Sequence, residues 1–327
     1  MAWIALVAAL LIEQLHASPA RELVGRGAAA IADAVGSNLN AGRRRHGVYA
    51  WLLMVGGGVL LGAIVYALAW WLSRAAALLV DVAVLYFTIG FRQFSHHFGE
   101  IQRALSEGDV ARARRTLSDW LGAAGDIDAT LPQQQEAGEI ARRAAETGVL
   151  LAHRHVFGVL FWYVVLPGPT GLLLYRLAQF VAGRWNRPAV RGDSTLAPDR
   201  FGDFARVAFS WLDWLPARAS AASFAVVGDF EGALYCWRQV PAARVAEDGN
   251  PLPEPRTVLL AAASGALGVR LMSARESATW FDGTDPDGPG FVEPQPQMLR
   301  SAVGLVWRAL VLWMLALLVL TLVAWLG

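Results

Sequence analysis

Residues 304–326 read GLVWRALVLWMLALLVLTLVAWL, and this stretch decides the fold class. It carries one charge, Arg308, near its start. About 20 apolar residues cross the hydrocarbon core of a bilayer as a helix. Arg308 lies close enough to one end to snorkel to the interface. The chain closes at Gly327, so this helix is expected to be a C-terminal anchor.

Further back, residues 48–72 read VYAWLLMVGGGVLLGAIVYALAWWL. Tyr49 and Trp51 stand at one end and Trp70 and Trp71 at the other. Amphipathic aromatic rings collect at membrane–water interfaces, so this is a second expected span. Gly56, Gly57 and Gly58 lie within it, where a missing side chain lets another helix approach. Only Ser73 and Arg74 separate it from the apolar run 75–91, which predicts a tight helical hairpin. Asp81 sits inside that run. An acid at membrane depth is costly, and the expectation is a functional group or a partner for an arginine of a neighbouring helix.

Three further apolar segments and two long loops complete the reading. Residues 1–15 open apolar but lack a basic leader, so an uncleaved first helix is expected. Residues 156–182 are apolar but interrupted by Pro167, Gly168 and Pro169, and proline removes a backbone donor. Such a segment is one bent span or a re-entrant hairpin, tolerated where protein buries it or a cavity adjoins it. Residues 257–272 are short and rich in small residues, which suggests a helix packed within the bundle. The loops 92–155 and 184–256 read as helical. Residues 241–255 hold four prolines and read as a loop, and a stop is expected at Pro216.

Charge sets orientation. Arg21, Arg26, Arg43, Arg44 and Arg45 precede the first clear span, and eight arginines lie between 92 and 155. The positive-inside rule places both loops in the cytoplasm and favours a re-entrant 156–182, which keeps 184–256 there as well. The expected architecture is all-α: a single polytopic integral-membrane bundle over residues 1–327, with a broken helix and cytoplasmic helical loops, in a bacterial inner membrane.

Composition narrows the function. The 327 residues are 55% hydrophobic and 17% charged, against about 25% charged in soluble domains. All 28 basic residues are arginine, set against 27 acids for a net charge of +1. Disorder and nucleic-acid binding are excluded as main readings. One cysteine, Cys236, excludes a disulfide framework and reads as a small buried apolar residue. No nucleotide-binding, zinc-protease or nucleophile-elbow motif is present, and no metal site is assigned. His96 and His97 read as interfacial rather than metal-binding. His153 and His155 flank Arg154 and could hold an anion or simply cap the bundle.

The order of these pieces resembles the CobD/CbiB family of cobalamin-biosynthesis membrane proteins and, as a related class, AmpE-type regulatory membrane proteins. EGDVARARRTLSDWLG (107–122) is similar to the family's helix and WIVG stretch. ARRAAET (141–147) followed by GVLFWYVVLPGPTGLLLYR (158–176) is similar to its AVE…APLFW…GGLPGALAYR segment. WLDWLPAR (211–218), AAASGALGVRL (261–271) and LRSAVGLVWRALVLW (299–313) resemble its PAR motif, its AGALGIQL segment and its closing helix.

The resemblance implies attachment of aminopropanol, or its phosphate, to a propionate of adenosylcobyric acid. Mg-ATP and a corrinoid are the implied reactants if that ligase activity persists. The family's polar motifs are where the chain departs. Its ENTxDG falls on Leu150, Leu151, Ala152, His153, Arg154 and His155, and its NTLDS on Gln179 through Gly183. Its GDP…HP survives only as HASPAREL (16–23). Carboxylates that hold Mg²⁺ cannot become Leu or Ala without loss.

A catalytic role would fall to Glu146 and Asp213. A ligand would be met by Arg21, Thr147, His153, Arg154, His155, Tyr175, Arg176 and Arg218. Two expectations follow: a corrinoid-linked protein, active or a pseudoenzyme, or an AmpE-like sensor of a cell-wall-derived ligand. The bilayer is the expected partner of either, along with a second copy of the chain in a membrane homo-oligomer.

Overall fold

In a computed structural model the decisive C-terminal run becomes one helix, Met298–Leu326. The structure describes residues 2–15, 19–89, 91–124, 136–186, 200–240, 243–245, 251–273, 276 and 291–326. In chain order the helices are α1 (Ala2–Leu15), α2 (Pro19–Leu39), α3 (Arg44–Leu72), α4 (Arg74–Thr88), α5 (Phe91–Ser106) and α6 (Val110–Ala124). They continue with α7 (Ala137–Val165), α8 (Thr170–Trp185), α9 (Asp203–Val227), α10 (Phe230–Gln239), α11 (Pro255–Leu267) and α12 (Met298–Leu326). The all-α expectation holds, with one addition: β1 (Ala243–Val245) pairs antiparallel with β2 (Pro251–Pro253). Proline cannot donate to a ladder but is tolerated in such a ribbon, where one side of each strand is unpaired. The proline-rich loop 241–255 is therefore partly a hairpin.

Three helices are long and apolar enough to cross a membrane: α3, α7 and residues 298–323 of α12. The first half of the broken segment is the end of α7, which begins well before it, at Ala137. By contrast α4 has 15 residues and α11 has 13. At 1.5 Å per residue neither reaches about 30 Å alone.

The contacts sort the chain into two compact units. The first comprises residues 1–90, 159–213 and 320–327. Here α4 packs against α1 and α3, and α8 against α3 and α4. The apolar face of α3 is open, with Leu61 64% and Trp71 86% exposed, as a lipid-facing surface requires. Gly58 and Gly62, one turn apart, meet Leu177 and Leu173 of α8: a Cβ at Gly62 would lie 2.2 Å from Leu173 Cδ1. Gly56 and Gly57 have nothing within 4 Å, so of the three consecutive glycines Gly58 alone makes a close approach.

Helix α9 runs through Pro216 instead of stopping there. Proline at 216 leaves the Leu212 carbonyl without its i+4 donor. The Trp162 indole Nε1 supplies one, donating to that carbonyl at 3.2 Å. The replacement bond explains why the helix continues.

The second unit comprises residues 91–158 and 214–319. Helices α5, α6 and α7 pack together, and α10 lies against α11. Phe157 meets Phe224 edge-on at 5.8 Å in its core. Helix α11 is buried from Thr257 through Ala266, as its small-residue composition implies. A Cβ at Gly265 would stand 2.1 Å from the Gly232 carbonyl oxygen, so only glycine permits that α10–α11 approach.

Candidate functional site

Glu146 anchors the densest polar cluster among the described residues, and its helix explains why. Glu139, Arg142, Arg143 and Glu146 follow i,i+3 and i,i+4 spacing along α7, so all four share one side of it. Arg142 clasps Glu139 through Nε at 2.8 Å and Nη2 at 2.7 Å. Its Nη1 donates to Glu146 Oε2 at 3.0 Å and also to the Leu271 carbonyl. Arg143 Nη1 reaches Glu146 Oε2 at 3.2 Å. Arg256, at the start of α11, donates to Glu146 Oε1 and to Glu276 Oε1, the latter at 2.7 Å. Glu276 Oε2 in turn accepts from the Ser273 backbone N–H at 3.2 Å and its hydroxyl at 2.9 Å.

The cluster is charge-balanced: Arg142, Arg143 and Arg256 against Glu139, Glu146 and Glu276. Glu146 is 1% exposed, and a carboxylate is tolerated at that depth only when paired and hydrogen-bonded. Burial alone would ease the proton off Arg256, but Glu146 and Glu276 outweigh it and hold the guanidinium charged. Burial likewise pushes the Glu276 carboxyl up, yet Arg256 and Ser273 pull it net below its ordinary 4.5. Beside the cluster opens a cavity of about 270 Å³ lined by Glu136, Glu139, Arg142, Arg270, Phe291 and Glu293. Arg270 lies over the Phe291 ring at 5.5 Å.

The other expected site residues divide between the two units. In the second unit, Thr147 returns its hydroxyl to the Arg143 carbonyl at 2.8 Å. His153 opens a π-helical turn, His153–Phe157, and its Nδ1 lies 2.9 Å from Ser220 Oγ, both side chains buried. π turns recur at functional positions, where the extra residue re-aims neighbouring side chains. Arg154 and His155 are half-buried on the same turn. Arg218 folds over Trp214, 4.1 Å from guanidinium carbon to ring centre, and donates to the Trp214 carbonyl at 3.1 Å. Burial lowers its proton affinity.

In the first unit, the Tyr175 hydroxyl donates to Asp213 Oδ1 at 2.7 Å, with both residues buried. Arg176 binds Gln179 at 2.5 Å. Glu146 and Asp213 thus belong to separate units, each with its own partners. Arg21 lies on α2 and its side chain is outside the described residues.

Sequence reasoning missed Arg256 and Glu276 as members of the Glu146 cluster and Ser220 as the partner of His153. The one signal available was Arg256 sitting at the head of an otherwise apolar, small-residue helix. Two other residues singled out in the sequence are Cys236, which is buried as expected, and His97. Cys236 is fully buried, and burial pushes its thiol up to about 12. His97 stacks on Trp120 at 6.1 Å.

With Glu146 engaged by three arginines, its oxygens do not fit the role of a Mg²⁺ ligand. Among the described residues no group of three or more His, Cys, Asp or Glu converges on one point.

Comparison with known proteins agrees with this arrangement of segments. The family model described as CobD/Cbib protein matches residues 6–306. A cobalamin biosynthesis protein CobD of Stutzerimonas stutzeri (strain A1501) is 31% identical over 324 residues, 97% of each chain. A cobalamin biosynthesis protein CobD of Chromobacterium violaceum (strain ATCC 12472) is 32% identical over 249 residues, 75% of this chain and 72% of that one. No solved structure matches. The family match covers nearly the whole chain, the first of these relatives matches over nearly its full length, and the chain belongs to the CobD/CbiB family of cobalamin-biosynthesis proteins.

Proposed function

We propose that this chain works in cobalamin biosynthesis as a multi-pass protein of the bacterial inner membrane, holding a corrinoid at the step where aminopropanol or its phosphate joins adenosylcobyric acid, without forming the amide itself. The observation that carries the second half is the state of Glu146. It is the carboxylate at the family's AVE position, and Arg142, Arg143 and Arg256 surround it. A base or metal-binding carboxylate needs a free lone pair, and these are spent on guanidinium donors. The apolar Leu150, Leu151 and Ala152 at the ENT position point the same way.

The test offers the purified chain adenosylcobyric acid, aminopropanol phosphate and Mg-ATP, scoring binding by the corrinoid absorbance and product by mass spectrometry. Binding without product is the expected result. Product formation that Glu146→Gln abolishes would overturn the non-catalytic half and make the chain an active synthase. Neither binding nor product would remove the corrinoid and leave the AmpE-like sensor reading.

A further inference from the structure

Helix α2 takes no part in the clusters described above, and its first half is uncovered among the described residues. It packs against α3 and α8. The contacts that hold it lie in its second half. Ala32 is fully buried, and its carbonyl accepts from the Trp185 indole at 3.1 Å. Arg184 Nε donates to Asp33 at 2.7 Å. A Cβ at Gly36 would stand 3.4 Å from Trp185 Nε1. Ahead of these, Leu23, Val24 and Ile31 are 62%, 53% and 57% exposed.

The exposed apolar groups form a pattern. At about 3.6 residues per turn, Leu23, Gly27, Ala30, Ile31 and Ala34 fall on one stripe, on the side of α2 away from Ala32. All five are exposed. Gly25 and Gly27 weaken the helix, and a helix of this kind draws most of its stability from packing an apolar face. The stripe therefore needs a cover that the described residues do not supply.

The surroundings of α2 select that cover. It has 21 residues, but Arg21, Glu22, Arg26 and Asp33 keep it out of the hydrocarbon core. Residues 40–43 join it to α3, and four residues reach at most about 14 Å. Helix α3 is long and apolar enough to cross a membrane, and Arg43, Arg44 and Arg45 stand exposed at its start. The acid on α2 whose side chain is described, Asp33, is already bound by Arg184. So α2 departs from the basic end of a spanning helix whose open flank faces lipid. Its stripe continues that lipid-facing surface at the level of the headgroups, and the charge beside it is positive.

We propose that α2 lies along the surface of the bilayer, with its stripe from Leu23 to Ala34 immersed and Arg43 and Arg45 against the phosphates of anionic phospholipids. Interfacial helices take this pose, apolar side down and basic groups toward anionic headgroups. The inference rests on the membrane placement proposed above and not on the corrinoid.

The test places the full chain in nanodiscs made of equal parts phosphatidylcholine and phosphatidylglycerol, or of phosphatidylcholine alone. Cys236 is fully buried, so a thiol-reactive fluorophore reports an introduced cysteine. Leu23→Cys and Gly25→Cys stand on nearly opposite sides of one helical turn, and a Cβ at Gly25 meets nothing within 4 Å. In the mixed discs, spin-labelled lipid should quench the probe at 23 far more than the probe at 25, and aqueous iodide should do the reverse. In phosphatidylcholine alone the difference should shrink. Arg43→Gln with Arg45→Gln should move the balance between immersed and water-exposed probe toward water by about fivefold per arginine. If that double variant does not fold, added salt replaces it, because it screens the same attraction in the original chain.

Equal quenching by iodide at both positions would put α2 in water and overturn the proposal. So would a probe at 23 shielded from iodide but untouched by spin-labelled lipid, which would mean a protein cover such as a second copy of the chain. Immersion indifferent to phosphatidylglycerol, to the arginines and to salt would overturn the anionic contact. A chain that does not enter the discs at all would remove the membrane placement itself, and this proposal with it.

Discussion

Glu146 and Asp81 are both carboxylates buried on helices, and their surroundings are opposite. Glu146 has three guanidinium groups bound to its two oxygens. Asp81 has no guanidinium bound to it among the described residues; the Tyr163 hydroxyl and the chain's terminal ammonium act on it instead. A buried acid saturated with its own arginines holds structure together and has little left for chemistry. Asp213 falls between them, tied to the Tyr175 hydroxyl.

The sharpest way to break this contrast is to strip Glu146 of a partner. Arg142→Ala leaves a charge buried without one of its three guanidinium partners and frees the Leu271 carbonyl too. Breaking a buried pair from one side costs about 3–5 kcal/mol, to be read from denaturant unfolding in detergent. A loss under about 1 kcal/mol, the scale of exposed pairs, would make the cluster decorative.

Tyr175→Phe should cost less. It deletes one hydrogen bond to a buried, charged acceptor, worth about 1–3 kcal/mol, and the same unfolding measurement reports it. A cost matching that of Arg142→Ala would place Asp213 with Glu146 rather than between the extremes.

Acid should then erode the Glu146 cluster from its exposed edge. The Glu276 carboxyl is held below its ordinary 4.5 in the folded protein. Its contribution is therefore complete above that value and fades as pH falls through it toward the lowered one. Glu276 is 39% exposed on its side chain, so solvent screening keeps the effect small. Unfolding midpoints followed from neutral pH downward should decline less steeply in Glu276→Gln than in the original chain.

The smallest effect is expected at Asp81. Asp81→Asn should cost less than Tyr175→Phe, since the amide keeps an acceptor for the Tyr163 hydroxyl. A larger loss by the same unfolding measurement would mean that the charge of Asp81 is itself structural, and the contrast would collapse.

What the sequence disclosed follows from the range over which each interaction acts. The long apolar runs of α3 and α12 carry their own periodicity and length, so spans were legible without any neighbour. The ladder of charges from Glu139 to Glu146 was legible for the same reason, being local to one helix. Arg256 and Glu276 join it from 110 and 130 positions further along, where no local pattern announces them. The continuation of α9 past Pro216 hid in the same way, because the compensating donor belongs to Trp162, fifty residues earlier. Asp81 reversed the ordinary expectation. Arginine is the default partner of an intramembrane acid, but the groups that act on it are the Tyr163 hydroxyl and the chain's terminal ammonium.

Helix α11 carries a different consequence. Its residues from Thr257 to Ala266 are covered on every side, and Gly265 touches the backbone of α10. A rod with no outward face has almost no vocabulary for change: side chains much larger than its alanines collide, and polar ones lack water. Drift among descendants of this chain should therefore concentrate on the open flank of α3, while this short stretch keeps time more slowly than anything around it.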